Sequence, residues 1–180
     1  MGLDSVEIVI GWEQALGVTI SDAEATVIRT PRAAIDLLAA KLGAIDKHRG
    51  ACLTLRAFNR VRRGFVASAT VHRSQVTPDA KLRDLLPRHQ RRPQWEAVQV
   101  ASGLPALPHL GWGFGVFVAP TTVADVARWI VSSSPKALKA ANEPWTRHEI
   151  RTVVRTIVSD VCGAKDFSDD ADFIYDIGLD

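Results

Sequence analysis

The sequence predicts an all-α fold built from two small helical units, and three observations carry that prediction. Apolar residues recur at spacings of three and four, with no sustained alternation broken by hairpin turns. Charge is partitioned: residues 1–44 and 145–180 together hold 14 acidic and seven basic residues, whereas residues 45–144 hold 15 Lys and Arg against six Asp and Glu. The chain also repeats itself. "VTPDAKLRDLLP" (76–87) echoes "FSDDADFIYDIGLD" (167–180), each with Asp-Ala, an apolar residue, then Asp followed by Leu or Ile, and "TTVADVARWI" (121–130) echoes "RTPRAAIDLLA" (29–39).

Taken in order, Val9, Trp12, Leu16 and Ile20 form a first helical stripe, with Asp4 as the expected N-cap and Glu7 three residues on. Pro31 suits the first turn of a helix whose stripe is Ile35, Leu38 and Leu42. In the middle, "LTLRAFNRVRRGFVASA", "RRPQWEAVQVASGL" and "TTVADVARWIVSS" read as helices, and "LPALPHLGWGFGVFVAP" (104–120) as an irregular loop in which Trp112, Phe114 and Phe117 pack. The cleanest helix is "WTRHEIRTVVRTIVSDVCG". Thr146 and Glu149 make a capping box, Ile150, Val153, Val154, Ile157 and Val161 share one face, and Gly163 stops it.

With 180 residues, 47% of them apolar, the chain can bury a substantial core. Its longest uncharged apolar stretch, residues 110–120, falls short of the roughly 20 residues of a spanning helix, and the opening lacks the pattern of a signal peptide, so a cytoplasmic protein is expected. Cys52 and Cys162, far apart and without CxxC spacing, read as buried reduced thiols.

The sequence resembles the acyl carrier protein family, four-helix bundles that carry phosphopantetheine on a serine at the start of the second helix. Residues 3–42 are similar to that family from just after the modified serine through helices two, three and four, and residues 146–180 are similar to its first helix and first loop. Read from the tail into the head, they form a single carrier whose ends have been moved. The resemblance implies two acyl-carrier-like four-helix bundles: one from 1–44 plus 145–180, and a degenerate basic one at 51–134, with 45–50 and 135–144 as linkers. The helix at 147–162 is then expected against Val9, Trp12, Leu16 and Ile35, with Asp180 near Gly2, in a monomer or a domain-swapped dimer.

Register decides whether an arm is carried. A typical carrier reads Asp-Ser-Leu-Asp-(Ser or Thr)-Val-Glu-Leu-Val, and here Leu3, Asp4, Ser5, Val6, Glu7, Ile8 and Val9 fall in step with its latter part. Gly2 therefore occupies the attachment position. Making Ser5 the modified serine needs a three-residue deletion, which turns the apolar stripe by about 300° against the core. The middle unit reads "DLLPRHQ" at its corresponding position, with no Asp-Ser pair.

The expected function is an interaction module or scaffold of acyl-thioester metabolism, without phosphopantetheine and without enzymatic activity. Its expected partners are carrier-dependent enzymes or another acyl carrier, met through Asp4, Glu7 and Glu13 on the acidic helix and Arg62, Arg63, Arg91 and Arg92 in the basic unit. An acyl carrier with phosphopantetheine on Ser5 is the first alternative. Nucleic-acid binding through Arg56, Arg60, Arg62, Arg63, Arg73, Arg88, Arg91 and Arg92 is the second. His48, His72, His89, His109 and His148 have no metal-ligand spacing, and "KDFSDDADFIYD" lacks the glycine and terminal Glu of an EF-hand.

Overall fold

A computed structural model describes residues 2–46, 51–69, 71–110 and 120–179. The described residues form helices α1 (Leu3–Leu16), α2 (Asp22–Val27), α3 (Pro31–Lys41), α4 (Leu53–Ser68), α5 (Leu82–Leu85), α6 (Arg91–Ser102), α7 (Val123–Ser133) and α8 (Arg147–Cys162), with 3-10 turns at Arg73–Gln75, Arg88–Gln90 and Pro135–Leu138. Among them the only extended pairing is two isolated bridges, Ile45 with Thr146 and Lys81 with Thr122. The all-α expectation therefore holds. The chain divides into a terminal unit, residues 1–50 with 139–180, and a central unit, residues 51–138.

In the terminal unit, α8 packs against α1 and α3 of its own chain. Its capping box is formed as the sequence predicts, and Gly163 ends it in the left-handed conformation (φ 70°). Ile150, Val153, Val154, Ile157 and Val158 are buried along one face, each contributing about 1.5–3 kcal/mol of apolar burial, while Val161 is only half-buried. The fit against α1 is close: a Cβ on Gly11 would stand 3.0 Å from Ile157 Cγ2. On α1 itself Ile8, Trp12, Ala15 and Leu16 are buried, and Gly17 (φ 58°) ends the helix before Ile20, which is buried beyond it. Asp4 does not cap α1. Gly2 is the N-cap, two residues before Asp4, and Asp4 instead places its charge in the first turn, where the helix dipole favours it.

Residues 135–144, expected as a linker, are folded. Pro135 and Leu138 are buried in the central unit. In the terminal unit the Lys139 ammonium donates to Glu149 Oε2 (2.6 Å) and Pro144 O (3.1 Å) and lies 4.7 Å from the Trp145 ring centre. Both side chains of the Lys139–Glu149 pair are almost fully buried, at 5% and 2% exposed. Neither cysteine is fully buried: Cys52 N-caps α4 and Cys162 closes α8, both half-exposed free thiols. Asp180, Trp112, Phe114, Phe117 and His48 lie outside the described residues.

In the central unit α4 packs against α6 and α7. Gly64 makes the first of these contacts close, since a Cβ there would stand 2.5 Å from Val98 O. Leu53, Ala57, Val61 and Phe65 from α4 share the unit's core with Trp95, Val98, Val123, Val126 and Ile130.

The sequence echoes make equivalent hydrogen bonds in the two units. Leu82 N donates to Thr121 O (2.9 Å) as Phe173 N donates to Arg29 O (3.0 Å), and Ala124 N donates to Pro78 O (2.9 Å) as Arg32 N donates to Asp169 O (2.7 Å). Within the echoed loops, Ala80 N bonds Thr77 O and Ala171 N bonds Ser168 O, both at 3.2 Å. Thr122 and Thr30, at matched positions, cap α7 and α3.

Candidate functional site

The terminal unit presents the start of α1 above a cavity of about 400 Å³. Gly2, Ser5, Ile8, Val9 and Trp12 line it from α1, Ala25, Thr26, Ile28 and Arg29 from α2 and the turn after it, and Asp172, Phe173, Ile174, Tyr175 and Leu179 from the echoed loop. The loop is held there by the Phe173 and Arg32 backbone bonds and by two carboxylates. Asp170 pairs with the Arg32 guanidinium, and Asp169 accepts from Arg151 and from Arg155 Nη1 (2.8 Å). Burial alone would raise the Asp169 pKa, but the hydrogen bonds from Arg151 and Arg155 hold it below the usual carboxylate range.

Inside the cavity Trp12 packs on Phe173 with ring centres 6.2 Å apart. Its indole N–H is buried with no hydrogen-bond partner among the described residues, a donor for which a ligand acceptor would be welcome. Ser5 stands one turn into α1, half-buried at the cavity wall, and Gly2 forms the helix cap above. Burial, with the charge of Asp4 added, pushes the Cys162 thiol at the end of α8 up to about 11.

The outward side of α1 is apolar as well. Leu3, Val6 and Ile10, at spacings of three and four, are 77%, 40% and 44% exposed. Sequence periodicity sees apolar residues on both sides of this helix without saying which meets solvent, so this stripe escaped the sequence reading. Glu7, with Asp4 beyond it, lies along one side of this stripe. Glu13 is engaged otherwise: its Oε1 accepts from Ile20 N at 2.7 Å and fixes the turn after α1.

In the central unit three of the four arginines expected at a partner surface divide between two recesses. Arg62 and Arg63 line one with Arg73, whereas Arg91 lines another with Lys81 and Arg83. Arg92 pairs with Glu96 (3.4 Å). Arg56 Nε donates to Ala51 O (2.9 Å) and Arg60 Nη1 to Gly103 O (3.3 Å), so the α4 arginines do not form one continuous free stripe.

No group of three or more His, Cys, Asp or Glu among the described residues is arranged to hold a metal ion, and no helix among them is long and apolar enough to cross a membrane. The chain matches no family model, no curated protein and no solved structure.

Proposed function

We propose that the terminal unit is an acyl-carrier-like interaction module that carries no phosphopantetheine and docks carrier-dependent enzymes of acyl-thioester metabolism, while the basic central unit is the one suited to another, acidic carrier. The observation that carries this reading is the exposed stripe Leu3, Val6 and Ile10 with Glu7 and Asp4 along one side. An apolar ridge with an acidic edge suits a partner groove rimmed by basic groups: burying the ridge supplies affinity, and the charges supply orientation and encounter rate. The second support is the helix start. Carrier chemistry needs a hydroxyl exposed at a helix N-terminus, and the residue at that point is Gly2, which has nothing to acylate or phosphorylate.

Two measurements test the proposal. Coexpression with a promiscuous phosphopantetheinyl transferase, followed by intact-mass analysis, is expected to show no added prosthetic group. A gain of one phosphopantetheine that disappears in Ser5→Ala restores the alternative of a functional acyl carrier modified on Ser5. Binding to a purified carrier-dependent ketosynthase or acyltransferase is expected to weaken about tenfold or more in Val6→Glu and in Ile10→Glu, because a charge in the centre of an apolar contact removes an anchor. Unchanged binding in both variants ends the docking assignment.

A further inference from the structure

The central unit holds a second feature, independent of the proposal for the terminal unit. In the second half of α4, Arg62 and Arg63 meet Arg73 from the 3-10 turn Arg73–Gln75 around an open recess of about 460 Å³, whose remaining lining among the described residues is Asn59, Val66 and Ala67. Among the described residues no carboxylate lines it. Arg63 and Arg73 make no ion pair or hydrogen bond among the described residues. Three like charges converging without a counter-charge repel one another, and a bound anion relieves that repulsion. The dipole of α4 favours cations only within its last turn, which holds no basic residue, so it does not account for Arg62 and Arg63. Nor does it account for Arg73, which a separate turn delivers to the same place.

Arg62 is held in position: its Nη2 donates to Asn59 Oδ1 (2.7 Å) and its guanidinium carbon lies 4.8 Å from the Phe58 ring centre. A guanidinium fixed at one edge keeps its other donors in a planar fork that matches a phosphoryl group. The neighbouring Arg56 and Arg60 each direct a guanidinium N–H to a backbone carbonyl, Ala51 O and Gly103 O, rather than into this recess. Val66, 43% exposed, and Ala67 supply an apolar wall for the organic part of a ligand. We infer that Arg62, Arg63 and Arg73 bind the phosphoryl group of a small organic phosphate.

The test uses the full chain and inorganic pyrophosphate as probe, titrated calorimetrically and by amide shift mapping at constant ionic strength. Saturable one-site binding is expected, with shifts confined to residues 58–75. Affinity should fall about tenfold or more in Arg63→Gln and in Arg73→Gln and remain unchanged in Arg128→Gln, a control on α7. Thermal unfolding of each variant checks the fold, and Arg63→Lys, which keeps the charge but not the fork, should weaken binding by a smaller factor. Non-saturating binding, shifts centred elsewhere, or equal loss in Arg128→Gln overturns the assignment. So does tighter, Arg63-dependent binding of single-stranded oligodeoxythymidylate or a polyglutamate peptide, which would make the recess a face for nucleic acid or acidic protein.

Discussion

The two units make the same backbone pairing between an echoed loop and the start of a helix, yet they finish their cores differently. In each, a long helix leads into that loop, α8 in the terminal unit and α4 in the central one. Where the long helix crosses its neighbour, one partner is a glycine and the other a branched residue, but the assignment is reversed. Gly11 lies on α1 against Ile157 of α8, and Gly64 lies on α4 against Val98 of α6. Both units also bury a tryptophan against a phenylalanine, Trp12 on Phe173 and Trp95 on Phe65. Trp95 Nε1 donates to Pro108 O (2.8 Å), whereas the Trp12 indole has no partner among the described residues and borders a cavity. One pattern of loop-to-helix pairing thus serves a unit whose core tryptophan is hydrogen-bonded and a unit whose core tryptophan lines a cavity beside an exposed helix face.

The largest expected effect breaks the anchoring of the long helices. Thr146 caps α8 within a capping box whose Glu149 is buried and paired with Lys139, whereas Cys52 at the start of α4 makes no side-chain cap bond. Lys139→Met strands a buried carboxylate and is expected to cost about 3–5 kcal/mol in denaturant unfolding, confined to the terminal unit. Cys52→Ala should change stability by less than about 0.5 kcal/mol.

The glycine crossings come next. At Gly64 a Cβ meets a backbone carbonyl, which cannot turn aside, so Gly64→Ala is expected to cost about 1–3 kcal/mol or more. At Gly11 the obstacle is the rotatable side chain of Ile157, and the gain in helix propensity, about 1 kcal/mol, offsets the crowding. Gly11→Ala should be near neutral. Equal losses at the two sites would remove the contrast between the crossings.

Replacing each tryptophan with phenylalanine isolates the indole N–H. Trp95→Phe loses a hydrogen bond that Trp12→Phe does not, so the first should cost more than the second by about 0.5–1.5 kcal/mol. The sharpest electrostatic difference lies in acid. Asp169, Asp170 and Glu24 all have folded-state pKa values below their ordinary ones in the terminal unit, Glu24 falling to about 2 chiefly through Lys41. Groups with lowered values stabilise fully above the unfolded carboxylate pKa, about 4, and lose that contribution as pH falls through the folded value. The central unit has one comparable group, Asp125, where burial opposes the lowering by bonds from Thr122 and Thr121. Amide exchange followed from pH 5 downwards should therefore show the terminal unit loosening first, with Asp169→Asn flattening its profile.

Much of this architecture is legible in the residues because the strongest local signals agree with the packing. The capping box at Thr146, Pro31 in the first turn of α3 and Gly163 after α8 set helix ends that tertiary contacts do not override. The repeat located the loop contacts, since Asp-Ala followed by an apolar residue places matching donors in both loops. Where α1 begins was less legible: N-cap preference favours an oxygen-bearing side chain such as Asp4, but an extended Gly2 serves without one. The candidate site was the least legible part. Exposure of Leu3, Val6 and Ile10, the partnerless Trp12 donor and the burial of Lys139 all depend on what packs opposite, which no window of residues contains.

That α8 completes a core begun by α1 and α3 has a consequence for biosynthesis. A ribosome emitting this chain at about 5–20 residues per second delivers the whole of residues 51–138 before α8 emerges. For those seconds Trp12, Leu16, Ile35 and Leu38 have no lid, and the nascent head is a natural client for chaperones while the central unit is already able to fold.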